Sequence, residues 1–433
     1  QSYWVPQMDT TQVDYNYSDA VKQVRQRLEQ AVESRMMSDV TVGALLSGGV
    51  DSSAVVALMN QMTNKPVNTF TVGFDFAGDE HGDSKFNVDL HHAEQAAAHL
   101  RTHHHAIIIQ DDFIAELLPH LVHQMDEPVA QHSIMQTAYV TAIARHMDVP
   151  VLLSGDAGDE LFLGYGHYVQ DQKLAQVMRV PRFMRSGIAP LVKSIPRFAP
   201  YAEKLMADSP SKRYLEWMRF LRVAEADALL ARPFADDALS DLLTPVLQTP
   251  NTDAFADRIA YTSLRLWIAE DSNMRMDKMS MLMSVESRAP LEDHHFVDFA
   301  LSLPLDYKLR HGDVKRVFKD AVRDLLPETI LNRPKWGFIP PTSDWLRHEL
   351  RSLVDDYLSP DYVTHANLCN PTEVSRLVTE HMTKRGYHLK AVWALLVLHM
   401  WHAIYIDKSL VLSDKVTAQA VIAGSEIHST NHS

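Results

Sequence analysis

The chain has 433 residues, 46% of them hydrophobic, and a net charge of −14 at pH 7. This length is enough for one large α/β domain or two modest ones. The acidic balance argues against nucleic acid as a partner, and no run of about eighteen apolar residues predicts a membrane span. The single cysteine, Cys369, excludes an intrachain disulfide and a multi-cysteine metal site, so we expect a cytoplasmic protein.

The N-terminal part of the sequence predicts the opening of a parallel sheet. Residues 1–17 predict an extended leader, followed by an amphipathic helix over residues 18–38 with Ser18 as its N-cap. Residues 40–46 then predict a buried strand, and residues 47–53 a glycine-rich turn that opens the next helix. A strand, a glycine turn and a helix in this order are typical of a doubly wound α/β sheet.

The same alternation continues to about residue 155. Strands are predicted at residues 68–74, 104–109 and 149–155, and helices at residues 91–100 and 133–147. Short strands joined by helices indicate a parallel sheet with right-handed crossovers, whose ligands lie outside the carboxyl ends of the strands. Both glycine turns of the sequence lie at such ends.

The C-terminal half, from about residue 166 to 400, predicts mostly helices and closes with a buried helix over residues 388–406. Residues 178–204 are rich in proline and locally basic. We interpret them as a helical insertion, with contact to a partner or a membrane surface as the alternative. The polar tail, residues 407–433, is expected to be disordered.

The first motif with chemical content is the glycine turn after the first strand, which reads Ser47-Gly48-Gly49-Val50-Asp51-Ser52-Ser53. Two glycines let backbone amides approach an anion, and the following helix directs its positive end at the same place. A carboxylate cannot face phosphate alone, so Asp51 is expected to act through Mg²⁺. The turn resembles the PP-loop of ATP pyrophosphatases. An ordinary capped turn is the alternative.

The second motif follows the strand at residues 149–155 and reads from Leu153 to Tyr165, Leu-Ser-Gly-Asp-Ala-Gly-Asp-Glu-Leu-Phe-Leu-Gly-Tyr. Its carboxylates, Asp156, Asp159 and Glu160, lie within five residues and repel one another unless a cation joins them. Asp159 is therefore the candidate for a second Mg²⁺ ligand beside Asp51. The alternative is an acidic helix N-terminus, where carboxylates are favourable in any case.

Together, these motifs resemble the synthetase domain of glutamine-hydrolysing asparagine synthetases, a family related to β-lactam synthetases and lasso-peptide cyclases. The resemblance covers nearly all of residues 1–406 and implies an adenine nucleotide α-hydrolase-like PP-loop fold over residues 18–406. Further segments that carry it lie in the same order along the chain, at residues 71–74, 102–105, 126–128, 276–281, 285–293 and 332–338.

The resemblance also implies roles for individual residues. The positions that match ATP-binding residues of the family are Leu46, Ser47, Gly48, Gly49, Asp51, Ser52, Ser53, Val72, Ser154, Gly155 and Tyr165. Asp51 and Asp159 match the Mg²⁺ carboxylates, and Lys335 matches a catalytic lysine that could neutralise charge on the α-phosphate. A solvated surface lysine is the alternative for Lys335.

Two positions depart from the family pattern. Asp156 stands where some members have a glutamate proposed to handle the proton of the amine, so this role carries over only weakly. Glu292 stands where another residue is common, and we interpret this as a structural variation.

Family members that use glutamine begin with a nucleophilic cysteine on a separate domain. Residue 1 is Gln here, and Tyr3-Trp4 resembles the start of the synthetase domain. We therefore expect residues 1–17 to be a linker from an N-terminal glutaminase domain that is missing. The alternative is a synthetase that uses free ammonia or ammonia from a partner.

The expected reaction is adenylation of a carboxylate, with aspartate as the first candidate, followed by attack of ammonia on the acyl-adenylate. The products would be an amide, AMP and pyrophosphate. The alternative is a related enzyme with a different amine, such as an internal one, or a different carboxylate, such as a sugar, peptide or β-lactam-type precursor. The sequence also leaves the oligomeric state open. A non-catalytic nucleotide sensor and a tRNA-modifying PP-loop enzyme fit less well, because Asp51, Asp159 and Lys335 are intact and no basic surface is evident.

Overall fold

A computed structural model describes residues 3–10, 15–76, 80–110, 113–195, 199–232, 238–334, 340–412 and 415–432. At its centre lies a six-stranded sheet with the order β5-β4-β1-β2-β3-β6. Five strands are parallel, and β6 pairs antiparallel with β3. The strands are β1 (Val42–Leu45), β2 (Asn68–Phe74), β3 (His103–Ile109), β4 (Val151–Leu153), β5 (Glu286–Arg288) and β6 (Glu426–Asn431). The α/β fold with a doubly wound, mostly parallel sheet is confirmed.

Helices cover both faces of this sheet. Those of the N-terminal part are α1 (Tyr17–Met36), α2 (Val50–Met62), α3 (Glu80–Phe86), α4 (Val88–Leu100), α5 (Ile114–Met125), α6 (Ile134–His146) and α7 (Gly158–Leu161). One hydrophobic core contains the buried side chains of α1, α2 and α4, and a second contains those of α5 and α6. Strands buried on both faces are expected to be continuously apolar, as β4 is.

The C-terminal half is mostly helical, as predicted. Its helices are α8 (Gly166–Met178), α9 (Arg182–Ser194), α10 (Ala199–Met206), α11 (Pro210–Met218), α12 (Val223–Leu229), α13 (Ala238–Gln248), α14 (Phe255–Thr262), α15 (Asn273–Leu282), α16 (His294–Ser302), α17 (Leu305–Lys308), α18 (Arg316–Ala321), α19 (Glu328–Leu331), α20 (Thr342–Arg347), α21 (Arg351–Tyr357), α22 (Pro360–Ala366), α23 (Pro371–Met382), α24 (Leu389–Tyr405) and α25 (Ala418–Ile422). None of the described helices is both long and apolar enough to span a bilayer.

A π-helical stretch joins two of these helices into one continuous element. It runs over Ser263–Ser272, between α14 and α15. Stretches of this kind are rare and occur frequently at functional sites. This one lines the cleft described below through Trp267, Ile268 and Ser272.

The order of the strands places the two glycine turns next to each other. The chain moves outward from β1 to β2 and β3, and then returns to place β4 on the other side of β1. The strand order therefore reverses between β1 and β4, which creates a crevice at their carboxyl ends. Residues 47–49 and residues 154–157, which follow these two strands, both lie there.

Two predictions about the ends of the chain were wrong. The first helix begins at Tyr17, and Asn16, not Ser18, caps it by accepting a hydrogen bond from the Asp19 amide. The tail beyond residue 406 is not disordered throughout, because it forms α25 and β6. Val421 and Ile422 are buried, and β6 covers an edge of the sheet that β3 would otherwise expose. The overall polarity of the tail concealed these few apolar residues.

Candidate active site

The first glycine turn is held in a shape that only glycine permits. Gly48 has a φ of +68°, and a Cβ placed there would lie 2.3 Å from the carbonyl carbon of His92 in α4. Gly49 then caps α2, whose first amides lack partners within the helix. The Ser52 hydroxyl accepts a hydrogen bond from the Ser47 amide at 3.3 Å and so braces the turn. The result is a helix N-terminus that opens towards the crevice, as anion sites require.

The second glycine turn packs directly against the first. A Cβ on Gly155 would lie 2.6 Å from the backbone nitrogen of Ser52, so the two backbones touch at this point. A Cβ on Gly158 would lie 2.3 Å from Oδ1 of Asp51. These glycines therefore bring Asp51, near the start of α2, close to the carboxylates of the second turn.

A lysine that we did not select from the sequence joins the two predicted metal carboxylates. The Nζ atom of Lys315 lies 2.5 Å from Oδ2 of Asp51 and 2.7 Å from Oδ1 of Asp159. The two carboxylate oxygens are therefore at most 5.2 Å apart. All three side chains are almost fully buried, with 6 to 13% of their surface exposed. The structure thus brings Asp51 and Asp159 together around one positive charge.

The backbone of Lys315 is also unusual. It has a φ of 54°, in the left-handed region that non-glycine residues seldom adopt, immediately before α18. Its amide donates a hydrogen bond to the carbonyl oxygen of Phe162, which fixes it against the second turn. Such strain of about 1 kcal/mol or more persists where the surrounding structure determines the conformation, often at functional sites.

Two glutamates, the buried Glu160 and the partly buried Glu292, lie near the carboxylates of the second turn. Burial, and secondly the nearby charge of Asp159, raises the pKa of Glu160 to about 7, although it accepts a hydrogen bond of 2.8 Å from the Tyr165 hydroxyl. Burial, and secondly the charge of Asp156, likewise raises the pKa of Glu292 to about 7. Asn273 donates to Glu292 at 2.6 Å. These groups can hold a proton near neutral pH.

An arginine connects the segment before residue 335 to the first glycine turn. Arg333 donates a hydrogen bond of 2.8 Å to the carbonyl oxygen of Ser47 and forms a buried ion pair with Asp89 of α4. Lys335, the predicted catalytic lysine, lies outside the described residues. The chain nevertheless reaches the cleft at Pro334, the last described residue before it.

A cleft of about 760 Å³ opens at the junction of these elements. The predicted site residues that line it are Leu46, Ser47, Gly49, Asp51, Ser52, Val72, Ser154, Gly155, Asp156, Asp159 and Tyr165. Gly48 does not line it, and Ser53 is fully buried outside it. One wall of the cleft therefore consists mostly of residues that were predicted from the sequence.

The opposite part of the cleft consists of residues that sequence reasoning did not select. Arg275 of α15 donates a hydrogen bond to Thr137 Oγ1 at 2.8 Å and another to Ser272 Oγ at 3.2 Å. Its positive charge faces this region, and among the described residues no carboxylate forms a hydrogen bond with it. Gln136 of α6 is 3% exposed, and its amide has no hydrogen-bond partner among them. Together with Trp267, these groups form a polar region beside the two glycine turns.

Comparison with known proteins gives this arrangement a family. The profile of the family described as Asparagine synthase matches residues 23–403, which contain both glycine turns, Lys315 and Arg333. The chain belongs to the asparagine synthase family. The family resemblance drawn from the two motifs and the shorter segments is confirmed.

Relatives within the asparagine synthase family share about a quarter to a third of their residues with this chain. A protein of Mycobacterium bovis named "Putative asparagine synthetase [glutamine-hydrolyzing]" is 30% identical over 94% of this chain and 62% of its own length. Asparagine synthetase [glutamine-hydrolyzing] 1 of Bacillus subtilis is 27% identical over 90% of this chain and 60% of its own length. Asparagine synthetase [glutamine-hydrolyzing] of Bos taurus is 23% identical over 84% of this chain and 50% of its own length. The chain thus spans about three fifths, or less, of the length of these relatives.

Lys315 and Arg333 are the main residues of this family member that sequence reasoning missed. Lys315 lies in a loop after Gly312, with no glycine turn or hydrophobic pattern that singles it out. Arg333 lies within a segment that carried the resemblance, two residues before Lys335, and this proximity was the available signal. Lys315 neutralises the two predicted carboxylates, whereas Arg333 pairs with Asp89, a carboxylate that was not predicted.

Proposed function

We propose that this member of the asparagine synthase family binds ATP across the two glycine turns, adenylates a substrate carboxylate and transfers the acyl group to an amine. Aspartate and ammonia are the first candidates for the carboxylate and the amine. One observation carries the proposal: Asp51 and Asp159, from separate turns, meet at the Nζ atom of Lys315. An arrangement of two acids and a lysine beside a helix N-terminus suits the phosphates of a nucleotide.

The nucleotide would lie along the crevice between β1 and β4. Its phosphates would face the amides at the start of α2, where Gly49 leaves the backbone accessible and Gly48 holds the turn against α4. Leu46, just after β1, and Val72, within β2, would contact adenosine. Lys315 would then exchange its contacts with carboxylates for contacts with phosphate oxygens.

The residues present fit Mg²⁺. Among the described residues, no group of three or more His, Cys, Asp or Glu side chains is arranged around a metal position. Mg²⁺ does not need such a group, because it is commonly held by one or two carboxylates together with phosphates and water. Asp51 and Asp159, with carboxylate oxygens at most 5.2 Å apart, would supply these two ligands. When bound, the ion would neutralise charge on the departing pyrophosphate.

The proposed reaction has two steps. An oxygen of the substrate carboxylate attacks the α-phosphorus of ATP, the bond from that phosphorus to the bridging oxygen of the β-phosphate breaks, and pyrophosphate leaves. The amine nitrogen then attacks the acyl carbon, AMP departs, and the nitrogen gives up a proton. Asp156, which lines the cleft, would accept this proton, and Lys335 would stabilise charge on the α-phosphate.

The amine would come from a glutaminase. The relatives are named as glutamine-hydrolysing enzymes, and this chain covers 62% or less of the length of those compared. We propose that a glutaminase domain, upstream in the parent chain or on a separate subunit, supplies ammonia. Added ammonium salts should replace it in solution.

The part of the cleft formed by α6 and α15 would receive the carboxylate substrate. Arg275 offers a cation there, and the amide of Gln136 lacks a partner among the described residues. Both features suit a small polar acid. A related enzyme that acts on another carboxylate or amine would use the same adenylating residues and differ in this region.

The test is to incubate the chain with ATP, Mg²⁺, ammonium and a panel of carboxylates that includes aspartate. We expect AMP and pyrophosphate in equal amounts, dependent on the carboxylate. Asp159→Asn should abolish their formation, whereas the matched control Asp39→Asn, at an exposed position outside the cleft, should retain it. Formation of ADP and phosphate, or full activity of Asp159→Asn, would contradict the proposal.

A further inference from the structure

The helix α9 carries an apolar face that the described part of the chain leaves uncovered. Phe183, Met184, Ile188, Leu191 and Ile195 are 44 to 77% exposed. Four of these side chains lie on one side of the helix, because they are spaced by four, three and four residues. They are Met184, Ile188, Leu191 and Ile195. Contiguous exposed apolar side chains of this kind mark a surface that contacts something else.

The opposite face of α9 attaches it to the protein. Ala189 is buried, and so is Arg185, which donates a hydrogen bond of 2.9 Å to the carbonyl oxygen of Val180 and another to that of Leu205. The helix packs on α10, which in turn packs on α8 and α11. The apolar face therefore points away from the core, and its exposure is a consequence of how α9 is attached.

The charge around this face differs from that of the rest of the chain. Residues 172–202 contain six lysines and arginines and no aspartate or glutamate, whereas the whole chain has a net charge of −14. Arg179 is exposed just before α9 and Lys173 is exposed on α8, whereas Lys193 lies on the side of α9 away from the apolar face, in a groove with Glu203, Glu225 and Glu373. The remainder of the protein accordingly carries a net charge of −20. This segment is thus the place where the acidic protein would be attracted to an anionic surface.

We propose that α9 docks the protein on the surface of an anionic phospholipid bilayer. Apolar side chains on one side of a helix with lysine and arginine at its edges are typical of helices that lie in the plane of a membrane interface. Phe183 and Leu191 would enter the boundary between headgroups and acyl chains, and Arg179, which lies just before the helix, would contact phosphate groups. Each basic residue near such a surface adds attraction that falls off within about a Debye length, near 8 Å at physiological salt.

A second copy of the chain explains these observations less well. A symmetric contact between two α9 faces would bring the two basic segments together, and the like charges would repel one another. An anionic bilayer satisfies both the apolar and the basic side chains. The proposal does not depend on the reaction assigned above, because α9 contributes no residue to the cleft.

The experiment is co-sedimentation of the full chain with vesicles of phosphatidylcholine alone and of phosphatidylcholine mixed with phosphatidylglycerol. We expect binding to the mixed vesicles, which weakens as salt is raised. The variant Phe183→Ser/Leu191→Ser should lower the partition coefficient roughly tenfold or more, because each large apolar side chain contributes substantially when buried. Arg179→Glu should weaken binding to the mixed vesicles only.

A matched control carries the same type of change elsewhere. Leu242 and Val411 are 73% and 79% exposed and lie outside the basic segment, so Leu242→Ser/Val411→Ser should bind vesicles as the unaltered chain does. Equal binding to neutral and anionic vesicles would overturn the proposal. So would the absence of vesicle binding together with a dimer that Phe183→Ser/Leu191→Ser dissociates. All these positions are exposed, so melting temperatures should stay unchanged and confirm that the variants fold.

Discussion

Replacing Lys315 with methionine tests whether a single cation holds the two glycine turns together. Methionine keeps much of the length of the side chain and removes the charge. The carboxylates of Asp51 and Asp159 would remain, with their nearest oxygens at most 5.2 Å apart and little exposed to water. At an effective dielectric constant of about 20, their repulsion amounts to roughly 3 kcal/mol. Removal of one partner from a buried ion pair costs about 3 to 5 kcal/mol in other proteins, which agrees with this value.

The assay is denaturant unfolding in the absence of nucleotide. We expect Lys315→Met to lower the free energy of unfolding by about 3 kcal/mol. The matched control is Lys22→Met, which removes the lysine of an exposed pair with Asp19 at 3.3 Å and should change it by less than about 1 kcal/mol. The double variant Asp51→Asn/Lys315→Met should recover part of the loss, because one of the two like charges is gone. Mg²⁺ should stabilise Lys315→Met more than the unaltered chain.

Two outcomes would refute this reasoning. If Lys315→Met unfolds no more readily than Lys22→Met, the lysine does not neutralise the pair in solution. If the double variant is no more stable than the single one, the loss comes from packing and not from repulsion between the carboxylates.

Further predictions concern the geometry and titration of the site. Gly155→Ala should separate the two turns, because its Cβ would lie 2.6 Å from the backbone nitrogen of Ser52. Pyrophosphate release should then fall roughly a hundredfold. The control Gly187→Ala, with open space around its Cβ, should retain activity. The raised pKa of Glu292 means that its folded form binds a proton that the unfolded form releases between about pH 4.5 and 7, so stability falls across this range. Glu292→Gln should therefore be more stable than the unaltered chain by up to about 3 kcal/mol at pH 8 and gain little at pH 4.5, by denaturant unfolding; equal gains at both values would contradict this. Arg333→Met should raise the KM for ATP and lower stability by about 3 kcal/mol, because Asp89 stays buried without its partner; unchanged values of both would remove Arg333 from the site.

The local pattern of the sequence determined the parallel core of the sheet and the position of the site along the chain. The strand at residues 68–74 was predicted with its observed bounds, and the strands before both glycine turns were placed to within a few residues. This was possible because buried strands are apolar throughout and turns that need a positive φ select glycine. In parallel sheets, ligands bind outside the carboxyl ends of the strands. Because both glycine turns follow such ends, Asp51 and Asp159 could be paired from the motifs alone.

The tertiary structure alone decided which cation meets these carboxylates. Lys315 lies 264 positions after Asp51 along the chain, and a contact over that separation leaves no periodic trace in the sequence. The same holds for Arg333 at Ser47, for Arg275 at Thr137, and for Val421 and Ile422 in the polar tail. Local structure depends on neighbouring residues, and the sequence records it directly. Charge pairing and burial depend on which distant segments the fold brings together, and only the folded chain determines that.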